Sequence, residues 1–265
     1  MTDALAPPPP QPVGFDLPSR LKAAGVHLGL SALVAALAAL LVFGLWYPEP
    51  FRQISGGREL FTLIVAVDVV VGPLITFAVF DRRKPWRELR RDLAVVALLQ
   101  LAALGYGMQV VFQARPVVLA LEAGERLRVV RAIDLVSANL AKAPTALRAL
   151  PWTGRLTVAT REPTAAERFD AVQLGLAGID LGMRPEFWLP PENTADAPRR
   201  AARPLADLRK RHPAQAGELE RSVAATGRVE AQLGYLPLLA RRADWVALID
   251  LSSGEVVGHA PIDGF

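Results

Sequence analysis

Asp68 is the residue with the most chemistry to offer. It stands inside an apolar run, Phe61 to Phe80 (FTLIVAVDVVVGPLITFAVF), about as long as a helix that crosses a bilayer. A carboxylate in hydrocarbon costs a few kcal/mol on insertion scales, so an intramembrane acid asks for a partner or a task. At roughly 1.5 Å per residue from the outer end of its run, it lies about 12 Å deep. Tyr106, in a later apolar run, lies at similar depth, and Tyr106, Gln109 and Gln113 share a helical stripe through spacings of three and four. Three uses stay open: a hydrogen bond to that hydroxyl or amide within a helix bundle, a contact with a partner helix, or a proton or ion relay. A relay needs several ionisable groups in line, and the other intramembrane candidate, His27, sits near the depth of Thr76, where helix packing is the plainer role. Gly72 and Pro73 follow the acid. Pro73 removes a backbone donor, leaves the carbonyl of Val69 without its helical partner, and predicts a kink just after Asp68. The kink is either structural or opens a groove beside the acid.

The rest of the chain offers little for catalysis. His212 and His259 are far apart and have no ligand-like companions at short spacing. Ser252 and Ser253 sit in a turn without a Gly-x-Ser-x-Gly context. Asp244 and Asp250 flank a strand whose Trp245 reads as core, with the acids setting turns. The chain has no cysteine, which excludes disulfides and thiolate metal sites. No catalytic residue, metal or cofactor is expected. The net charge of +4 is a small surplus, whereas a nucleic-acid binder needs a clustered basic face with aromatics. The dense cluster Arg82, Arg83, Lys84, Arg87, Arg90 and Arg91 reads as an orientation signal beside membrane helices.

The elements that must position these residues follow from composition. Hydrophobic residues make up 52% of the chain, at a mean hydropathy of +0.27, and the excess lies before residue 114. Residues 1–19, with Pro7 to Pro10 consecutive, predict an extended, solvated tail. Residues 20–114 predict three transmembrane helices, at about 21–46, 60–80 and 93–113. The first lacks the short core and cleavage site of a signal peptide and ends on Trp46 and Tyr47, rings suited to a membrane interface. Gly25 and Gly29 permit close helix approach. Because Lys and Arg near span ends are retained on the cytoplasmic side, the loop 81–92 is inside, the loop from Pro48 to Glu59 outside and the N-terminus cytoplasmic. Residues 115–265 are then exported, into the periplasm if the cell is a bacterium. Their texture predicts a hairpin about Ala123-Gly124 within Pro116 to Val130, a strand at Arg155 to Thr160, and a helix from a Thr164/Glu167 capping box to about Leu176. Glu192 to Ala202 reads as loop. Helical spacing runs from Leu205 to Ala225, interrupted at Pro213, and strands follow at Tyr235 to Ala240, Trp245 to Leu251 and Glu255 to Gly258. The fold class is an α-helical membrane bundle of three transmembrane helices followed by a small α+β periplasmic domain.

Several pieces together carry a resemblance. They are Ser19-Arg20-Leu21-Lys22-Ala23-Ala24-Gly25-Val26-His27-Leu28, Trp46-Tyr47-Pro48, Val67-Asp68-Val69-Val70-Val71-Gly72-Pro73-Leu74, and Asp92 to Leu101 with Tyr106-Gly107. With Gln113-Ala114-Arg115-Pro116 and Val129-Val130-Arg131-Ala132, they resemble the TfpX/TfpZ family of type IV pilin accessory proteins. The likeness spans Ser19 to Asp134, and the proline-rich tail departs from the family pattern. The resemblance implies a non-enzymatic protein of the bacterial inner membrane that supports a major type IV pilin before or during assembly. Its partners would be that pilin, membrane lipid and other pilus-assembly components, with no nucleic acid. Pilin is a membrane helix continuous with a periplasmic head, so the groove around Gly72-Pro73 would meet the helix and the exported domain the head. The competing class is a membrane-anchored periplasmic sensor or signalling subunit. Against it stands the small size of the cytoplasmic parts, a tail and a short loop.

Overall fold

A computed structural model describes residues 16–135, 137–241 and 245–265. Most of the proline-rich tail, and Asp244, lie outside the described residues. The chain forms two compact units, one of residues up to 36 with 64–105, the other of 37–63 with 106–265. Three helical stretches are long and apolar enough to cross a membrane: Leu17–Trp46, Gly57–Val79 and Trp86–Gln113. The first consists of α1 (Leu17–Leu41) and a π-helical turn, Val42–Trp46. The second consists of α3 (Gly57–Ala66), a π-helical turn, Val67–Val71, and α4 (Gly72–Val79). The third is α5 (Trp86–Gln113). A fourth, short helix, α2 (Phe51–Ile54), lies between the first two stretches.

The helices start earlier than hydropathy alone predicts. Asp16 accepts a hydrogen bond from the Ser19 amide at 3.3 Å, a helix N-cap that starts α1 ahead of its apolar run. In α5 the polar turns from Trp86 to Asp92 are built of good helix formers, so the backbone continues where hydrophobicity does not.

In the first unit, charged and polar side chains tie the helices together. Arg20 donates to the carbonyls of Phe77 and Ala78 at 3.1 and 2.7 Å, satisfying acceptors that the end of α4 leaves open, and reaches Asp81 at 3.4 Å. His27 Nδ1 and Thr76 Oγ1 share a hydrogen bond of 2.5 Å, and Lys84 Nζ donates to Asp92 at 2.7 Å.

The second unit is built on a seven-stranded sheet of order β3-β1-β2-β5-β6-β7, with β4 alongside β5. The strands are β1 Pro116–Glu122, β2 Arg126–Arg131, β3 Leu156–Ala159, β4 Arg203–Pro204, β5 Leu233–Leu239, β6 Trp245–Asp250 and β7 Val256–Ala260. The β1-β2 turn places Ala123 and Gly124 at φ 50° and 68°, the positive values a tight hairpin needs. Both sheet faces are covered, which explains why β1 is apolar from Pro116 to Leu121 with every residue buried, ending on Glu122, whose carboxylate accepts from Arg126 and Arg128. Side chains alternate with period two. Leu119, Leu121, Leu127, Val129, Leu236, Leu238, Ala247 and Ile249 face one core, which also holds Phe51 and Ile54 of α2. Val118, Ala120, Val130 and Val158 face a second core with Leu135, Leu147 and Trp188. Tyr235, Val246, Leu248 and Ala260 face a third with Leu205, Leu208 and Leu219.

The connecting helices are α6 (Ser137–Leu140), α7 (Arg168–Leu176), α8 (Pro191–Thr194), α9 (Ala197–Ala201), α10 (Leu205–Arg211) and α11 (Ala216–Ala225). The stretch Glu192 to Ala202, expected as loop, contains α8 and α9; Pro191 and Pro198 occupy first-turn positions, where a missing amide costs nothing. The break at Pro213 appears between α10 and α11 as expected. The short loop expected between the first two spans is structural, because α2 buries Phe51 and Ile54 against the sheet.

Candidate functional site

A cavity of about 770 Å³ lies among the helices of the first unit. Its walls are mostly apolar, from Val26, Leu30, Val34, Val65, Ala97 and Leu101, and Asp68, His27, Thr76 and Gln100 punctuate them. Lys22 and Arg82 line it as well, close in sequence to the expected cytoplasmic end.

The backbone beside Asp68 explains how this wall is built. In a π turn a carbonyl pairs with the amide five residues on, and for Asp68 that residue is Pro73, which has no amide hydrogen. The orphaned acceptor therefore moves from Val69, as an α-helix would have it, to Asp68. Gln100 on α5 fills it, donating Nε2 to the Asp68 carbonyl at 3.2 Å. A membrane helix tolerates proline when a neighbour satisfies the freed group in this way. Gly72 permits the approach, since a Cβ there would overlap the Gln100 amide. Gly72 and Pro73 are themselves buried. The expected kink is thus a π turn, and the Asp68 carboxylate lines the cavity without a hydrogen-bond partner among the described residues.

Tyr106 and Gln109 belong to the second unit, and both are exposed. The side chain that reaches the Asp68 backbone is Gln100. Sequence reasoning does not single it out, because an amide in an apolar helix gains this role only from the π turn of its neighbour. Of the basic residues, Lys84 is tied to Asp92 and Arg82 donates to Ser19 Oγ at 3.4 Å, while Arg87, Arg90 and Arg91 are exposed along the first turns of α5.

The second unit offers a different feature. No residue of α7 is buried, yet Phe169, Val172 and Leu176 are apolar, exposed and spaced by three and four, so they fall on one face. Phe169 is 70% exposed and Leu176 87%. The face is held firmly at both ends. At the C-terminal end Gly178 adopts φ 83°, with its amide on the Gly175 carbonyl at 3.0 Å and the Ile179 amide on Leu174 at 2.8 Å, a Schellman stop. At the start, Glu167 accepts two hydrogen bonds from the Arg161 guanidinium at 2.8 Å each, and others from the Thr164 amide and hydroxyl at 2.9 and 2.8 Å. Those bonds, Arg161's first, hold the Glu167 carboxyl well below the usual range. The Thr164/Glu167 box therefore forms in part, but the helix begins three residues later than expected for it, at Arg168.

Among the described residues no group of three or more histidines and carboxylates is placed to hold a metal ion. The arrangement offers binding surfaces: a cavity among apolar helices and an apolar helix face on a mixed α/β unit.

Such a molecule, three membrane-length helices joined to a sheet domain, defines the class. Residues 15–56 match the family model described as fimbrial assembly protein FimB. The chain is 33% identical over 247 residues to the fimbrial assembly protein of serogroup I of Dichelobacter nodosus, covering 92% of this chain and 95% of that one. The serogroup E1 protein of the same organism is 32% identical over the same span, and the protein of serogroups C1 and C2 is 38% identical over 122 residues, 46% of this chain. No solved structure matches. The chain belongs to the fimbrial assembly protein family.

Proposed function

We propose that this protein is a pilin accessory factor of the TfpX/TfpZ kind, which binds a type IV pilin in the inner membrane and stabilises it before or during pilus assembly, without catalysing a reaction. The observation that carries the reading is the cavity of the first unit. It is apolar enough for a membrane segment, bears one carboxylate with no partner among the described residues, and belongs to a chain whose family is named for fimbrial assembly. A client built of a membrane helix and an extracytoplasmic head suits a protein that offers a cavity among its helices and an exposed apolar face on α7. Asp68 then acts in recognition, meeting a hydrogen-bond donor or cation on the client helix, where the low dielectric strengthens the contact.

The orientation follows from the cluster Arg82 to Arg91, which keeps its loop and the N-terminus in the cytoplasm and puts residues 115–265 in the periplasm. Photocrosslinking probes at Val65, Leu101 and Val172, in membranes of pilin-producing cells, test the proposal. The expected result is a pilin adduct from all three positions and reduced pilin levels in a deletion strain. No adduct, with pilin levels and piliation unchanged, overturns it.

A further inference from the structure

In the second unit, the Trp152 ring sits against the ends of two membrane-length helices. Its centroid is 5.0 Å from that of Phe112 at the end of α5, and 6.5 Å from that of Trp46 at the end of the first span. Phe112 and Trp46 are themselves in contact at 4.9 Å. The contact is fastened. Arg115, just after α5, lies over the Phe112 ring at 3.6 Å, donates to the Phe112 carbonyl at 2.7 Å and to the Pro151 carbonyl at 3.0 Å, next to Trp152. Tyr47 adds a second tie between the span ends, donating its hydroxyl to the Val111 carbonyl at 3.0 Å.

Trp152 is nevertheless 70% exposed, whereas Trp46 is buried. A rigidly held indole that leaves most of its surface uncovered in water is unfavourable unless something amphipathic covers it, and the region where the spans leave the bilayer is such a medium. We infer that the loop 151–154 is a membrane-interface anchor: Trp152 inserts among the lipid glycerol and headgroup regions and, with Trp46 and Phe112, completes an aromatic girdle. The exported domain is then seated on the bilayer surface through a third point besides its helices. The ligand is the lipid interface, the medium that the ends of the two neighbouring helices would enter if they span the bilayer. This inference rests on the reading of the three stretches as membrane spans.

Because the chain has no cysteine, a single introduced one labels uniquely. An environment-sensitive fluorophore is placed at Thr153→Cys, keeping Trp152, in the full chain reconstituted into phosphatidylethanolamine/phosphatidylglycerol vesicles. Labels at Leu98→Cys, in mid-span, and at Glu192→Cys, on α8, serve as references. The expected result is quenching at 153 by lipids carrying a nitroxide near the acyl carbonyl several-fold stronger than at 192, and lost on adding Trp152→Asp. Quenching at 153 equal to that at 192, with 98 quenched by lipid, overturns the inference alone. A label at 98 that behaves as if in water overturns the span reading, and this inference with it.

Discussion

At the scale of single residues, the account turns on the contact of Gly72 and Gln100. Gly72→Ala forces a Cβ against the Gln100 amide and should destabilise the first unit by about 1–3 kcal/mol, as overpacking does. Gln100→Ala alone leaves the Asp68 carbonyl unpaired at a cost of about 1 kcal/mol. The double variant should be more stable than the sum of the two predicts, because truncating Gln100 removes the atoms that the new Cβ would strike; thermal unfolding in detergent reads the cycle. Additive losses would contradict the geometry. Asp68→Asn tests the side chain separately: it should leave the unfolding midpoint nearly unchanged and lower the yield of pilin adducts. His259 carries a pH dependence. It is edge-on to Phe51 at 5.4 Å, and burial first, then the Arg155 charge, pushes its pKa down to about 4 from 6.5. The unfolded chain therefore binds a proton between those values that the folded one does not, so stability falls as pH drops from about 6.5 and levels off below about 4, a loss on the order of 3 kcal/mol. His259→Gln should flatten that slope in a denaturant series across pH. The places of Asp68 on the cavity wall and of Pro73 beside an altered helical turn were foreshadowed in the sequence, since an acid and an imino acid stand out in an apolar run. Gln100 was not, because its role depends on a register shift that a hydropathy pattern does not encode.

At the scale of elements, α2 and α7 carry the consequences. The sequence displays α2 as a four-residue polar-flanked segment, FRQI, between two spans, with nothing to mark it as core. In the fold Phe51 is fully buried, with the Arg155 guanidinium 3.8 Å above its ring, so Phe51→Ala should cost about 3–5 kcal/mol, seen as faster proteolysis of the sheet unit. Strands β1, β2, β3, β6 and β7 were legible because β-branched residues between turn residues advertise themselves, and β5 as a short apolar run; α8 and α9 were hidden by prolines that also open helices. For α7, replacing Val172 and Leu176 with Asp should leave stability within about 0.5 kcal/mol, since neither side chain is buried, while abolishing the adduct from the neighbouring face. A large loss of stability would mean that this face packs against the protein itself.

At the scale of the whole molecule, the link between α2 and the sheet constrains topology. The segment between the first two spans shares a core with residues from Leu119 to Ile249, so both lie on one side of any membrane the helices cross. The basic cluster from Arg82 to Arg91 carries the expectation that this side is the periplasm. The shared core also means that residues 115–265 expressed alone lack Phe51 and Ile54 and should not unfold cooperatively, whereas adding residues 37–63 in trans should restore protection. Under the proposed function, a cavity among the helices and an exposed apolar face on α7 would serve a two-part client, one part for its helix and one for its head. The most direct test of that claim is photocrosslinking from Leu101 on the cavity wall in pilin-producing cells. The account predicts a pilin adduct through its membrane helix, reduced by Asp68→Asn; a probe that yields only lipid adducts, in cells whose pilin levels do not depend on this protein, would contradict it.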